Sequence, residues 1–520
     1  MTWSRASILA VVVGLGCGDD GGGTGTTARD EDTGPSTTAV AGSSSAGIDE
    51  TSTGTPAEPG ECLEPIPAHA PVSAVLSVDP QGRLVDGLGR AVIMRGLNTG
   101  GRSKFAPFLP FDVSDPDDLV VVRAAADEYF GRMVGWGLDT ARMPFSWEAL
   151  EPSPGRYDDA YLERYQTMLD AAWDLRIRVI VDFHQDVYAS PFCGDGFPPW
   201  SVPTPDPPVP THECPDWFVG YFANPDVRES FDRFWSDADG LQGPFLDMWR
   251  HMAQAVGEHP AVVGLEPMNE PGWGTADDLD AFKVHVLQPW LTMMAAELHA
   301  EAPQALVFYD GPGADSSGGA ATHFRPDGEG LVYAPHLYDA SLLIGDSWAG
   351  VSPAPAISAM ASFGAEAGVP VLLGEFGFTT GAVGGNDWLT LVVDALDQRR
   401  VSATLWEYST SAELWNSEDL SVTEADGSER AILDAYVRPW VRALAGQGLS
   451  TSWDGAGLVL RASWTAAEGF TEVVVPARIY GEAPGSIALT GDGACYTWDA
   501  ARGELRVSAP AGTPVSVELR

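Results

Sequence analysis

The chain is poor in basic residues. Its 520 residues contain 29 Lys and Arg against 73 Asp and Glu, which gives a formal net charge of −44 and a pI near 4.2. A phosphate backbone would be repelled over nearly the whole of such a surface, and no basic stripe interrupts it. The composition argues against a nucleic-acid partner, and the length suits a large α/β barrel with a small appendage.

Cysteine is also scarce, at five residues, and the first follows a short apolar run. The run Ile8 to Val13, after a single Arg, is typical of a secretory signal and too short to span a membrane. Gly14 to Cys17 resembles a bacterial lipobox, in which the cysteine is lipidated, although Leu normally sits one place earlier. We predict a signal peptide with a lipobox over 1–17 and an exported protein, either a cell-envelope lipoprotein or a secreted one.

The stretch after Cys17 has almost no apolar residues. Residues 18–66 are dominated by Gly, Thr, Ser, Asp and Pro, and such a composition cannot offset the entropy lost on ordering. We expect a disordered low-complexity tether over 18–66, which would hold the rest of the chain off a membrane surface.

The other four cysteines can pair in an exported protein. Cys193 and Cys214 bracket a Pro-rich loop that a disulfide would brace, and we favour this pair. Cys62 and Cys495 lie at opposite ends of the folded region and form the second candidate pair. A zinc site at Cys193, His212 and Cys214 is an alternative, but its spacing matches no structural zinc pattern.

From about Val72 onward, short apolar runs alternate with segments of helical spacing, as in repeated βα units. Eight runs can be counted, and they end at Asn98, Trp147, Asp186, Pro271, Pro312, Tyr338, Phe378 and Ser409. Eight such units predict a (β/α)8 TIM barrel over 67–440. A hairpin before the first run should cover the barrel floor. Short alternating strands after Pro439 predict a small C-terminal all-β sandwich over 441–520.

Two glutamates, Glu270 in VVGLEPMNEP and Glu375 in VLLGEFGF, follow buried runs. An ionisable group there is costly unless it is solvated or has a task, and the carboxyl ends of barrel strands are where active sites form. The same ends carry further polar or aromatic residues: Lys104, Arg142, His184, Asp186, Asn269, His336, Tyr338 and Trp406, with Glu407 beside the last. Each has an ordinary structural explanation alone, but together they predict one site.

The motifs RMPFSW, DFHQD, EPMNEP, APHLY, GEFG and LWEYS resemble those of glycoside hydrolase family 5, in clan A, over roughly Val92 to Trp440. FHQDVY followed by DGFPPW, with the late RPWVRALAG, is similar to endoglycoceramidases and related glycolipid glycosidases. The Pro-rich expansion after DGFPPW is longer than expected of the family. The resemblance implies a retaining β-glycosidase that releases a glycan or sugar from ceramide.

The resemblance also implies roles for the site residues. Glu375 is the expected nucleophile and Glu270 the acid/base, with environments that keep the first ionised and the second initially neutral. Arg142 and Tyr338 would contact Glu375, Asn269 the sugar 2-hydroxyl, and His336 Glu270 or the substrate. Further sugar contacts are expected from His184, Asp186, Trp406 and Lys104. No cofactor or metal is expected, and the anticipated state is a monomer.

The nature of the leaving group is less specified. Apolar residues in KFAPFLPF, in the loop Pro191 to Phe222 and in SLLIGDSWAG would suit a lipid aglycone, or would pack on one another. Endo-β-glucanase, mannanase and exo-β-glucosidase share all the predicted catalytic residues and are alternatives. A non-catalytic carbohydrate-binding lipoprotein and a metalloenzyme using His184, Asp186, Glu270 and His336 are more remote ones.

Overall fold

The computed structural model describes residues 60–68, 74–205, 207–317 and 322–520. The predicted signal segment, the lipidation candidate Cys17 and all of the predicted tether before residue 60 lie outside the described residues. Among the helices of the described ranges, none combines the length and the apolar character needed to cross a membrane.

Three two-residue strands begin the fold: β1 Ser77–Val78, β2 Leu84–Val85 and β3 Ala91–Val92. They pair antiparallel, as the predicted hairpin requires. Leu84 and Val92 pack in one buried cluster with barrel residues such as Ile180 and Val263, so the hairpin covers the barrel floor. Strand β3 also pairs with a later strand of the C-terminal domain, which the sequence did not indicate.

Eight parallel strands form the barrel, in the order in which the eight apolar runs occur. They are β4 Arg95–Asn98, β5 Thr140–Phe145, β6 Arg178–Phe183, β7 Val262–Glu266, β8 Leu306–Tyr309, β9 Leu331–Tyr333, β10 Leu372–Leu373 and β11 Ser402–Leu405. Strand β11 pairs with β4, and a parallel bridge from Tyr333 to Val371 closes the gap between β9 and β10. The (β/α)8 prediction is confirmed.

Helices surround the strands and bury one apolar face each. The longer ones are Leu119–Gly135, Asp159–Asp174, Pro225–Trp235, Gln242–Val256, Gln288–Glu301, Ala354–Ala367 and Gly385–Arg399. Short helices lie at Trp147–Leu150, Gly220–Ala223, Leu279–Phe282, Ala340–Leu343, Ile432–Tyr436 and Ala477–Tyr480. The Asp118 and Asp158 carboxylates accept hydrogen bonds from the first turns of their helices and fix where those helices begin.

The C-terminal region is a two-sheet sandwich. Its strands are β12 Trp440–Leu444, β13 Gly446–Asp454, β14 Val459–Ala466, β15 Phe470–Val474, β16 Ile487–Thr490, β17 Cys495–Asp499, β18 Glu504–Ser508 and β19 Pro514–Leu519. One sheet has the order β1-β2-β3-β12-β15-β18-β17 and the other β13-β14-β19-β16. An apolar core that includes Trp464, Val473 and Val517 lies between them. The predicted all-β sandwich is confirmed, and the hairpin is its extra edge.

The N-terminal residues of the described chain are attached to this sandwich. Cys62 and Cys495 form a disulfide, Glu61 pairs with Tyr496, and the Ile66 amide donates to Thr497 Oγ1 over 2.9 Å. Residues 60–66, which composition assigned to the disordered tether, are therefore held against β17. The reason is a covalent link across 433 positions, which local composition cannot indicate.

Candidate active site

Arg142 on β5 lies at the centre of the strand ends and is fully buried. Its guanidinium donates to Glu266 through Nε (2.8 Å) and Nη2 (2.9 Å), and to Asn269 Oδ1 through Nη2 (2.9 Å). Nη1 donates to Glu375 Oε1 over 2.6 Å. Burial alone would lower the pKa of Arg142, but Asp182, Glu266 and Glu375 hold it well above its usual value. Arg142 is therefore a fixed cation that positions Glu375 and Asn269 together.

Glu375 follows β10 and has a second donor besides Arg142. The Tyr338 hydroxyl donates to its other oxygen, Oε2, over 2.9 Å. Burial alone would raise the pKa of Glu375, but the positive charges of His336, Arg142, His184 and Lys104 lower it to about 2. Glu375 is therefore an ionised carboxylate at neutral pH, with each oxygen held by one donor.

Glu270 follows β7, and its contacts are different. His336 Nδ1 lies 2.8 Å from Glu270 Oε1, and the Ser316 hydroxyl donates to the same oxygen. Among the described residues, no hydrogen-bond donor reaches Oε2. Gly313 lies beside this oxygen, and a Cβ atom added to that glycine would stand 3.1 Å from it. The two oxygens are thus distinguished, because Oε1 is held and Oε2 remains available to a substrate.

His336 connects the two glutamates. Its Nδ1 also lies 3.6 Å from Glu375 Oε2, and its Nε2 lies 3.5 Å from Asp310 Oδ2 on the opposite side. Burial alone would lower the pKa of His336, but Asp310, Glu375 and Glu270 raise it to about 10. The ring is therefore an imidazolium that donates to Glu270 at neutral pH.

The two carboxylates are close neighbours. One oxygen of Glu270, one of Glu375 and a His336 ring nitrogen all lie within 4.8 Å of one another. Two carboxyl groups about 5–5.5 Å apart can act as a nucleophile and a proton donor on opposite sides of one reacting carbon. The pair therefore has the spacing for double displacement, with only Glu375 held by a guanidinium.

The residues around Arg142 and the two glutamates form a first polar group. A second polar group lies beside it, after strands β4, β6 and β11. Lys104 Nζ donates to Asp186 Oδ2 over 2.6 Å, and His184 Nδ1 contacts Asp182 Oδ2 over 2.7 Å. The His184 ring stacks on Trp406 with 5.1 Å between centroids. Lys104, His184 and Asp186 are all buried, so this group offers charged hydrogen-bonding partners in a place with little water.

All ten predicted catalytic and substrate-binding residues therefore lie at one edge of the barrel, in two adjoining groups. Glu407, which the sequence placed beside Trp406, has a separate environment. Its carboxyl accepts from the Ser409 hydroxyl and lies against Gly101, and burial raises its pKa to about 8. Glu407 thus contributes to the packing under the site.

Several functional neighbours were missed by sequence reasoning. They are Asn98, Asp182, Glu266, Asp310, Ser316 and Glu418. Asp182 and Glu266 lie inside the buried strands β6 and β7, where a carboxylate interrupts an apolar run, and that interruption was the available signal. Ser316 lies in the short 3-10 helix Gly313–Ser317 and Glu418 directly follows another, Trp415–Ser417, and the composition of these segments gives no such signal.

The Pro-rich loop is closed by a disulfide between Cys193 and Cys214. Because both sulfur atoms are used in this bond, the alternative zinc site with His212 is excluded. The loop binds the segment after β11, since the Asn416 amide group donates to the Cys193 carbonyl over 2.7 Å and accepts from the Cys214 amide over 3.0 Å.

Comparison with known proteins agrees with the geometry. A sequence model of the Cellulase family (glycosyl hydrolase family 5) matches residues 110–412, more than half of the chain. Endoglycoceramidase I of Rhodococcus hoagii (strain 103S) is 30% identical over 208 residues, which are 39% of this chain and 39% of that protein. A glucosylceramidase of Rhizopus delemar is 28% identical over 247 residues, which are 38% of this chain and 36% of that protein. The chain thus matches about two-fifths of the length of these curated relatives.

The fold also matches solved structures. Endo-glycoceramidase II from Rhodococcus sp., in its ganglioside GM3 complex, superposes with a TM-score of 0.67 and 25% identity. The match covers 84% of this chain and 99% of that one, so it includes the C-terminal sandwich as well as the barrel.

Proposed function

Because this chain belongs to glycosyl hydrolase family 5, we propose that it is a retaining β-glycosidase that cleaves the bond between sugar and lipid in glycolipids. The observation that carries this proposal is the Glu270–Glu375 pair, whose oxygens lie within 4.8 Å and whose hydrogen-bond partners differ. The curated relatives named endoglycoceramidase and glucosylceramidase support the substrate class.

In the first step, Glu375 attacks the anomeric carbon and Glu270 gives a proton to the leaving oxygen. A bond forms between that carbon and a Glu375 oxygen, while the bond from the carbon to the aglycone oxygen breaks. Arg142 and Tyr338 hold the attacking carboxylate in place, so little reorganisation is needed as its charge moves to the ester. The aglycone then leaves as an alcohol.

In the second step, water hydrolyses the glycosyl ester on Glu375. Glu270, now a carboxylate, takes a proton from the water while the water oxygen attacks the anomeric carbon from the face that the aglycone left. His336 and Ser316 hold Glu270 Oε1 through both steps, which leaves Oε2 to transfer the proton. Two inversions give net retention of configuration.

The sugar is bound by the buried polar group around these glutamates. Asn269, held by Arg142, is placed to contact the 2-hydroxyl, while His184, Asp186 and Lys104 contact the hydroxyls farther from Glu270. The predicted stacking residue Trp406 is only 2% exposed, because His184 and Lys104 already cover much of its ring. Only this small exposed part of the ring is open to contact with a sugar.

The three apolar segments near the site differ in exposure. In KFAPFLPF, Leu109 and Phe111 are buried in the core, and the Pro-rich loop packs Trp217 against Trp415. The loop SLLIGDSWAG leaves Leu343 exposed, and the adjoining Val351 and Val383 are 67% and 69% exposed. A bridge from Ser347 to Val383 joins the loops after β9 and β10. This joined surface, whose first loop follows Tyr338 in the chain, supports a lipid aglycone.

The substrate proposal is tested by offering the purified full chain a glucosylceramide in detergent micelles and, separately, a soluble β-1,4-glucan. We expect sugar release from the glycolipid, measured by chromatography, and no new reducing ends from the glucan. Cleavage of the glucan alone would contradict the proposal and favour the endo-glucanase alternative.

A variant pair shows whether the exposed apolar surface recognises the lipid. Changing Val351 and Val383 together to Asp should raise KM for the glycolipid on the order of a hundredfold, since each buried Val contributes roughly 1.5 kcal/mol and every 1.4 kcal/mol is about tenfold. An aryl glycoside should be cleaved as before. Leu88→Asp, at an exposed turn of the floor hairpin, is the matched control and should change neither substrate. Equal effects of both variants would contradict lipid contact at this surface.

We also infer that the protein is exported and anchored to a membrane surface through Cys17. The two disulfides, Cys62–Cys495 and Cys193–Cys214, support an oxidising compartment, where such bonds persist. Labelling of expressing bacterial cells with a radioactive fatty acid should mark the wild type and leave Cys17→Ala unlabelled.

A further inference from the structure

We propose that the sugar pocket is blind and holds a single sugar, so the enzyme removes one monosaccharide rather than an intact oligosaccharide. This inference rests on the proposed glycosidase function and specifies its substrate class. The relatives include proteins named endoglycoceramidase and proteins named glucosylceramidase, and the geometry of this chain favours release of a single sugar.

The direction of the bound sugar follows from the chemistry. Glu270 protonates the leaving oxygen, so the aglycone extends past Glu270 and the far end of the sugar points away from it. In the second group, Lys104 and Asp186 are 2% and 3% exposed, and Glu418 beside them is 12% exposed, the same as Glu270. The far end of the sugar therefore points toward the second group.

That end of the pocket is closed by charged and aromatic side chains. Lys104 Nζ lies 4.1 Å from the Trp415 ring centroid, 4.4 Å from that of Trp406 and 5.4 Å from that of Trp217. It also lies 3.7 Å from Glu418 Oε1, which accepts from Trp406 Nε1 over 2.8 Å. We call Lys104, Trp217, Trp415 and Glu418 the end wall.

The end wall is fastened from behind. Trp217 follows the disulfide-closed loop by three residues and Trp415 belongs to the segment after β11, and their rings pack edge to face with centroids 4.9 Å apart. Asn416 joins the same two segments through backbone groups of Cys193, His212 and Cys214. These contacts make the wall one rigid unit, which a second sugar would have to push apart.

The wall also has the chemistry to recognise a terminal sugar. Glu418 retains 12% exposure, the highest of the three charged residues at this end, and it can accept a hydrogen bond from a free hydroxyl. Lys104 can donate one, and burial strengthens both interactions. A hydroxyl carrying another sugar would lose the bond to Glu418 and place the added ring against Trp415. The wall therefore selects an unsubstituted terminal sugar.

The test uses the full chain and two pairs of ligands. Hydrolysis of a 4-nitrophenyl β-glucoside is compared with that of the β-cellobioside and β-lactoside, and the sugars released are identified. Binding of isofagomine is compared with that of its cellobiose-like derivative by calorimetry. We expect nitrophenol from the glucoside, no intact disaccharide from the others, and at least 100-fold weaker binding of the disaccharide-like inhibitor.

Each outcome has a separate meaning. Release of intact cellobiose or lactose at a rate comparable to that of glucose would overturn the blind pocket while leaving the glycosidase function in place. If none of the glycosides is cleaved, the proposed function fails, and the inhibitor comparison still measures pocket depth. Equal or tighter binding of the disaccharide-like inhibitor then overturns the inference.

Two disulfide variants provide a matched control. Changing Cys193 and Cys214 together to Ser releases the loop behind the wall and should increase disaccharide release at least tenfold over the wild-type background. Changing Cys62 and Cys495 together to Ser removes the other disulfide, in the C-terminal sandwich, and should leave disaccharide release at background. An equal increase in both variants would show that general loosening, rather than the wall, controls access, and would contradict the inference.

Discussion

Replacing Glu375 by Ala should lower kcat/KM by on the order of 10⁴-fold or more, because the carboxylate that forms the covalent intermediate is removed. The fold should survive, since Arg142 keeps its ion pairs with Glu266 and Asp182 when Glu375 is removed. The measurement is steady-state hydrolysis of an activated aryl β-glycoside, with circular dichroism to check the fold.

Azide gives this variant a distinguishing readout. The small anion can enter the space left by the Glu375 side chain and attack the anomeric carbon from the same face. Addition of azide should therefore restore part of the rate and produce an α-glycosyl azide, identified by its NMR coupling constant. A β-glycosyl azide, or activity close to that of the wild type without azide, would show that Glu375 is not the nucleophile.

Replacing Glu270 by Ala should have an effect that depends on the leaving group. A glycolipid leaves as an alcohol that needs a proton, so its cleavage should fall by about 10²–10⁴-fold. A 2,4-dinitrophenyl glycoside leaves as a stable anion, so formation of its glycosyl ester should be much less affected. Comparison of the two substrates in single-turnover experiments measures this difference.

The pH dependence and azide provide the controls for Glu270. The Glu270→Ala variant should lose the alkaline decline of kcat/KM that an essential proton donor produces. Azide should yield a β-glycosyl azide here, the opposite anomer from the Glu375 variant, because it attacks the ester from the other face. Equal loss of activity on both substrates would contradict the acid/base role.

Much of the barrel could be predicted because each parallel strand is buried on both faces. Such strands read as continuous apolar runs, and the polar residues that follow them meet at one edge of the barrel. This is why the eight runs and the joint placement of Glu270, Glu375 and Arg142 were predictable from local sequence. The roles assigned to these residues also depended on the family resemblance.

Other features depend on contacts between distant residues. Strand β3 joins the C-terminal sheet through pairing with β12, and residues 60–66 are held by Cys62 bonded to Cys495, more than four hundred positions away. Asp310 acts behind His336, and Glu418 reaches Lys104 from a loop with no strand pattern. Local periodicity carries no information on these distances, so only the folded structure shows them.

In the proposed mechanism, Glu375 forms a covalent bond to the sugar. The most direct measurement is mass spectrometry of the protein after incubation with a 2-deoxy-2-fluoro-β-glucoside bearing a good leaving group. The fluorine slows both formation and hydrolysis of the intermediate, and the good leaving group keeps formation faster than hydrolysis. The glycosyl-enzyme intermediate therefore accumulates. We expect a mass increase of one fluoroglucosyl unit, located by peptide mapping on Glu375. Attachment to a different residue, or rapid substrate cleavage without any adduct, would contradict this mechanism.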